Sequence, residues 1–71
     1  MTAAGLGDRW LAGESIDGVA YAQGARVALP DGRVGRVLLL AGAPPDPPYL
    51  VELPDAPRPL RLRQSQLAEV R

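Results

Sequence analysis

The 71-residue sequence contains no cysteine, histidine, lysine, asparagine or phenylalanine. Without cysteine the chain has neither a disulfide nor a thiolate nucleophile, and without histidine or cysteine a zinc site is not expected. A Ser-His-Asp catalytic arrangement is impossible within this chain. These absences exclude the commonest hydrolytic and metal chemistry, so we expect a protein that is not an enzyme and holds no cofactor.

Long apolar runs and a strong net charge are missing as well. No stretch approaches the roughly 18 apolar residues of a membrane span, and the N-terminus lacks the basic-then-apolar pattern of a secretory signal. We therefore expect a cytoplasmic protein with no membrane partner. Eight arginines balance eight acidic residues, which is far from the basic footprint typical of nucleic-acid-binding domains.

The first third of the chain differs in composition from the rest. Residues 1–24 hold five of the eight glycines, and their apolar residues follow no clean period. Leu6, Trp10 and Leu11 fit one short helix with glycines on both sides. We predict a loosely ordered N-terminal arm over residues 1–24, which either packs on the remainder or stays mobile, and a single small domain over residues 25–71.

Apolar and polar residues alternate from residue 25 onwards. Period two predicts strands in the segments ARVALP, GRVLLLAG, YLVEL and LRLR, and the closing RQSQLAEV adds a turn and a fifth strand. The proline-rich AGAPPDPP and PDAPRP separate strands, because proline does not serve a central strand. The side chains predicted to face inward are Ala25, Val27, Leu29, Val34, Val37, Leu39, Tyr49, Val51, Leu53, Leu60, Leu62, Leu67 and Val70. The predicted fold is all-β with five strands.

The segment LPDGRVGRVLLL carries a hairpin signal. Asp31 and Gly32 form a pair that favours a two-residue turn between strands. Such a turn sets Leu29 opposite Val34, and opposite residues share one face of the sheet. Both side chains would then join the core.

The same register fails one step further along the hairpin. It places Val27 opposite Arg36, so one of the two would lie on the wrong face. One extra residue at Gly35 repairs the pattern by pairing Val27 with Val37, and glycine suits such a bulge. We therefore predict a bulge at Gly35, which would also sharpen the twist that a small barrel needs. The alternative is that Gly35 sits in a longer loop.

These segments together resemble a known small fold. Five short strands with a tight early hairpin and a turn before the last strand are similar to the SH3-like small β-barrels, over about residues 24–71. The stretch 24–37 resembles the KOW motif of ribosomal and transcription-elongation proteins. The matching residues are Gly24, Val27, Leu29, Gly35 and Val37. The pattern also resembles small accessory barrels of photosystem and reductase complexes. The resemblance implies a binding module, for nucleic acid in the KOW case and for a protein in the accessory case.

Two candidate binding surfaces follow from the predicted strands. Leu38, Leu40 and Leu50 fall on the face opposite the predicted core, where an exposed apolar patch marks a contact surface. The arm, a second copy of the chain or another protein would cover them. We take a partner protein or a homodimer as the leading hypothesis, which makes the chain a protein-interaction module or small accessory subunit.

The alternative surface is basic. The outward arginines proposed to contact nucleic acid are Arg33, Arg36, Arg61 and Arg63, and Arg26 faces outward beside them. The acidic residues are scattered, so no carboxylate pair is placed for acid–base catalysis. No small-molecule substrate is indicated.

Overall fold

The computed structural model describes residues 5–70. Its elements are helix α1 (Leu6–Leu11), strands β1 (Arg26–Ala28), β2 (Val34–Leu40), β3 (Pro48–Glu52) and β4 (Leu60–Arg63), a 3₁₀-helix (Gln64–Gln66) and strand β5 (Ala68–Glu69). The strands form one antiparallel sheet in the order β4-β3-β2-β1-β5. The predicted all-β fold with five strands is confirmed. Residues 1–4 of the predicted arm and residue 71 of the predicted domain lie outside the described residues.

The sheet is curled, because a short link joins its two outer strands. Flat strands spaced about 4.8 Å apart would separate β4 from β5 by about 19 Å. Only residues 64–67 connect them, and three of these are in the 3₁₀-helix. Such a link reaches roughly 13 Å, because a 3₁₀-helix rises only about 2 Å per residue. The two edges must therefore approach each other, although no pairing between β4 and β5 occurs in the described chain.

The hairpin between β1 and β2 has a three-residue loop, Pro30–Gly32, rather than the predicted two-residue turn. The Leu29 N–H donates to the Arg33 carbonyl at 2.8 Å, and the Gly32 N–H donates to the Leu29 carbonyl at 3.0 Å. Gly32 has a φ of 91°, and a type I turn followed by such a residue is the usual three-residue hairpin. Pro30 favours this turn because its fixed φ suits the second position.

The predicted bulge at Gly35 is wrong. The longer loop pairs Val27 directly with Gly35. Val27 and Val37 still share the inner face, each with 0% of its surface exposed, because alternate residues of a strand point the same way. Gly35 is needed for close packing instead. A Cβ atom there would lie 2.5 Å from Val51 Cγ1 and 2.7 Å from the Glu52 carbonyl oxygen.

A bulge does interrupt this pair of strands, but at Gly24. The Gly24 N–H donates to the Val37 carbonyl at 2.8 Å, and the Val37 N–H donates to the Ala25 carbonyl at 2.9 Å. Gly24 and Ala25 thus lie opposite the single residue Val37, which is the arrangement of a β-bulge. Gly24 has a φ of 86°, which is the conformation that glycine supplies in a bulge of this type. The bulge bends the chain where the arm enters the sheet.

A second bulge, in β2, overturns part of the predicted inner face. The register between β2 and β3 shifts between Val37 and Leu39, and an extra residue reverses the alternation of side chains. Leu40 is consequently buried and Leu39 is 40% exposed. The predictions that Leu39 faces inward and Leu40 outward are wrong. Val34, also predicted to face inward, is 37% exposed beside the hairpin loop.

The hydrophobic core lies on the inner face of the sheet and includes the arm. Its buried side chains are Trp10, Val27, Leu29, Val37, Leu40, Tyr49, Val51, Leu53 and Leu67. Leu60 and Leu62 pack against it as predicted. From α1, the Trp10 indole N–H donates to the Tyr21 carbonyl at 2.7 Å. The described part of the arm therefore shares one core with the sheet, and the boundary after residue 24 stays a prediction.

Gln64 connects the arm to the sheet through its side chain. Its Oε1 accepts hydrogen bonds from the Ala20 N–H at 2.8 Å and from the Tyr49 hydroxyl at 2.6 Å. Its Nε2 donates to the Gly18 carbonyl at 3.2 Å. The backbone N–H of Gln64 donates to the Pro47 carbonyl at 2.9 Å. One amide side chain thus holds the arm, β3 and the 3₁₀-helix together.

Candidate interaction surface

An apolar patch lies on the outer face of β2 and β3. Leu39 is paired with Leu50 across the two strands, and Leu50 is paired with Arg61 on β4. Leu38 and Leu50 are half-buried and Leu39 is exposed. We call Leu38, Leu39 and Leu50 the outer leucine patch. Leu40, the third residue of the predicted patch, is buried in the core. Leu39 lies on the outer face instead.

Apolar side chains of the arm pack on the core. The half-buried arm residues that contact the core are Leu6, Ile16, Val19 and Tyr21. None of the three patch leucines belongs to that core cluster within residues 5–70. A contact from the arm to the patch is polar, since Gln23 Nε2 donates to the Leu38 carbonyl at 3.2 Å. The patch therefore retains exposed apolar surface.

The arginines of the alternative site are all exposed, but they do not form one stripe. The exposed set is Arg26, Arg33, Arg36, Arg61 and Arg63. Arg36 lies opposite Arg26 on β1 and opposite Glu52 on β3. Arg61 lies on β4, on the far side of Leu50. The sequence pattern placed Arg26 outward beside this site, and the register of β1 sets it directly opposite Arg36.

Arg33 is engaged within the hairpin. Its Nε lies 2.6 Å from Asp31 Oδ2, and its Nη1 lies 3.9 Å from Asp55 Oδ1. The Arg33 backbone N–H also donates to Asp31 Oδ1 at 3.0 Å. This backbone hydrogen bond, followed by the one from the Arg33 side chain, lowers the pKa of the Asp31 carboxyl. Two carboxylates thus offset the charge that the predicted nucleic-acid site assigned to Arg33.

A groove follows β4 beside the proline-rich loop. It measures about 320 Å³ and is lined by Asp46, Pro48, Arg61, Arg63 and Gln66. The two Asp46 carboxylate oxygens accept hydrogen bonds from the Ser65 N–H at 2.7 Å and from the Ser65 hydroxyl at 2.9 Å. Asp46 therefore holds the loop against the 3₁₀-helix and is not positioned as a free acid or base.

Searches with protein-family models, curated proteins and solved structures found no match to this chain. Within residues 5–70, no three side chains of the His, Cys, Asp or Glu type are grouped so that they would hold a metal ion. The same part of the chain contains no helix long and apolar enough to cross a membrane. On the outer face of the sheet, the outer leucine patch lies between Arg36, earlier on β2, and Arg61, opposite Leu50 on β4.

Proposed function

We propose that this protein is a non-enzymatic interaction module that binds a partner protein through the outer leucine patch. One observation carries the proposal. Leu39 is 40% exposed and lies beside Leu50 on the outer face of the sheet. Clustered apolar side chains on a small folded protein favour contact with a partner.

The strand arrangement supports a module of the SH3-like type. Four consecutive strands form a meander, and the fifth returns to pair with the first after a 3₁₀-helix. A curled sheet with this order is compatible with a small barrel whose outer face and loops contact a ligand. Fold likeness alone does not establish a function, so the proposal depends on the patch.

Three observations favour a protein over a nucleic acid as the partner. Arg33 is paired with Asp31 and Asp55, and Glu52 stands beside Arg36. The aromatic side chains that would stack on bases are unavailable, because Trp10 and the tyrosines lie in or against the core. The chain as a whole carries no net charge.

The proposal is tested by Leu39→Glu, with Leu11→Glu as the matched control. Leu11 is 48% exposed and lies on α1, whereas the patch residues lie on β2 and β3. Tagged protein is used for affinity capture from a native extract, with and without nuclease. We expect Leu39→Glu to reduce recovery of the partner at least tenfold, because a charge would be buried against an apolar surface. Leu11→Glu and nuclease should leave recovery unchanged.

A second copy of the chain is also a protein partner and is tested separately. Sedimentation of the purified protein over a range of concentrations reports self-association, and Leu39→Glu should abolish any dimer found. Two results would contradict the proposal. One is recovery of the partner that is lost on nuclease treatment. The other is recovery that falls steeply with salt and is reduced by Arg61→Ala but not by Leu39→Glu.

A further inference from the structure

We infer that Arg26 and Arg36 form a receptor for a carboxylate, and that the partner presents this carboxylate from an acidic segment that also carries aliphatic side chains. The inference rests on the proposed function, since it specifies the chemistry of the partner bound at the same face. It adds a charged contact, including Arg26, to the apolar contact of the outer leucine patch.

The register of the hairpin places the two arginine side chains as close as cross-strand neighbours come. The hydrogen bond from the Leu29 N–H to the Arg33 carbonyl makes these residues a hydrogen-bonded pair. Pairs alternate along an antiparallel ladder, so the directly paired Arg26 and Arg36 are a non-hydrogen-bonded pair. In such a pair the Cα atoms lie about 4.5 Å apart and the side chains approach closely.

The charges of this pair are not compensated by ion pairs within the described chain. The ion pairs among residues 5–70 are Arg9–Glu14, Arg33–Asp31 and Arg33–Asp55. The neighbouring acidic residues are Glu52, opposite Arg36, and Glu69, which lines a groove with Arg26. Neither carboxylate comes within ion-pair distance of the two guanidinium groups. Like charges directly opposite destabilise a sheet, and a bound anion would remove that penalty.

The surroundings of the pair suit a short acidic and aliphatic segment. A groove of about 430 Å³ is lined by Arg26, Val34, Gly35, Arg36, Glu52 and Pro54. Two guanidinium groups side by side offer several N–H donors to one carboxylate. Val34 is 37% exposed at one end, and Leu39 follows Arg36 along β2 towards the other. An extended segment would place an acidic side chain between aliphatic ones.

A peptide carboxylate fits this groove better than the backbone of a nucleic acid. Glu52 lines the groove and would repel a continuous row of phosphates, whereas a single carboxylate can be held on the Arg26 side of the pair, one strand further from Glu52. Arg61, on β4, lies beyond Leu50, so an apolar surface interrupts the track that successive phosphates would follow.

The test selects short peptides from a random display library. The baits are the wild-type protein, the double variant Arg26→Gln/Arg36→Gln and the control Arg9→Gln. We expect enrichment of Asp or Glu flanked by Leu, Ile or Val on the wild type and the control, and loss of the acidic enrichment on the double variant. For a selected peptide, each single arginine substitution should weaken binding about tenfold, because a hydrogen bond to a charged group is lost.

Two further measurements bear on the same inference. Without peptide, Arg26→Gln should raise the thermal midpoint, because the like-charge contact with Arg36 is relieved. A lower midpoint in this variant would contradict an uncompensated pair. A poly-dT oligonucleotide should bind neither the wild type nor the variants, and binding that depends on Arg26 and Arg36 would overturn the assignment to a peptide.

The outcomes separate this inference from the proposed function. Two outcomes overturn the inference alone, provided that Leu39→Glu still prevents binding of the selected peptides. The peptides show no acidic enrichment, or they show the same acidic enrichment on the double variant. Selection of no peptide at all, or of peptides indifferent to both Leu39 and the arginines, overturns the inference and the proposed function together.

Discussion

Gly35 illustrates how a sequence pattern can single out an important residue and assign it the wrong structural role. The sequence pattern assigned it a bulge that would restore the register of the hairpin. In the structure it pairs directly with Val27, and its missing side chain lets β2 approach β3. The Glu52 carbonyl and Leu53 Cδ2 occupy the space that a side chain would need. A carbonyl oxygen held in a sheet cannot move aside without breaking the ladder.

Gly35→Ala should therefore destabilise the protein, by about 1–3 kcal/mol, as expected for overpacking against fixed atoms. Urea unfolding followed by tryptophan fluorescence measures the change as a lower midpoint. The matched control is Gly7→Ala in α1, where an added Cβ meets no atom within 4 Å and should stabilise the helix by up to about 1 kcal/mol. Equal midpoints for the two variants would show that β2 relaxes away from β3.

The 3₁₀-helix Gln64–Gln66 is the element that attaches the arm. Gln64 accepts from Ala20 and Tyr49 and donates to Gly18, and the Tyr21 hydroxyl donates to the Leu67 carbonyl at 3.3 Å just beyond the helix. The sequence segment RQSQLAEV predicted the turn and its closing residues. It gave no sign that the amide of Gln64 reaches the arm, because these contacts join positions more than forty residues apart.

Gln64→Ala should release the arm near residues 18–21. The substitution leaves the Ala20 N–H and the Tyr49 hydroxyl without their acceptor, which costs about 1–3 kcal/mol. Hydrogen exchange should accelerate at Ala20 and Tyr21 more than in β2 and β3. Gln23→Ala, which removes an exposed hydrogen bond to Leu38, should change stability by less than about 0.5 kcal/mol. Unchanged protection of the arm in Gln64→Ala would contradict this attachment.

The molecule as a whole depends on a small core around Tyr49. This side chain has no exposed surface, packs edge-on against Tyr21 with ring centroids 5.6 Å apart, and donates its hydroxyl to Gln64. Burial raises the pKa of the Tyr49 hydroxyl above its usual value of about 10. The chain has no lysine or cysteine, so neither of those side-chain types contributes to titration near pH 10.

Folding stability should consequently fall in alkaline solution. The folded state holds the Tyr49 proton more tightly than the unfolded state, so the stabilisation is fully present below about pH 10 and is lost as the pH rises through the folded-state pKa. Tyr49→Phe should be about 1 kcal/mol less stable at pH 7, where a hydrogen bond is missing, and its stability should fall less between about pH 9 and 11. Urea titrations at each pH measure both. An equal loss of stability with rising pH in the wild type and in Tyr49→Phe would exclude Tyr49 as the cause.

The outer surface was harder to predict than the strands. The two-residue period placed Val27, Val37, Tyr49 and Val51 in the core correctly. It failed at Leu39 and Leu40, because three consecutive leucines give no sign of which one is the extra residue in a bulge. The hairpin was predictable in principle, since Pro30 before Asp31 and Gly32 favours the longer loop.

Composition and local alternation were enough to establish an all-β chain, its five strands, the proline-rich loops and the absence of cysteine and histidine chemistry, because these depend only on neighbouring residues. The pairing of strands decided the make-up of the proposed binding surface. Registers and bulges are set by contacts between distant segments, and a shift of one residue exchanges the two faces of a strand. Such a shift moved Leu40 into the core and Leu39 to the surface, and the hairpin register put Arg26 beside Arg36.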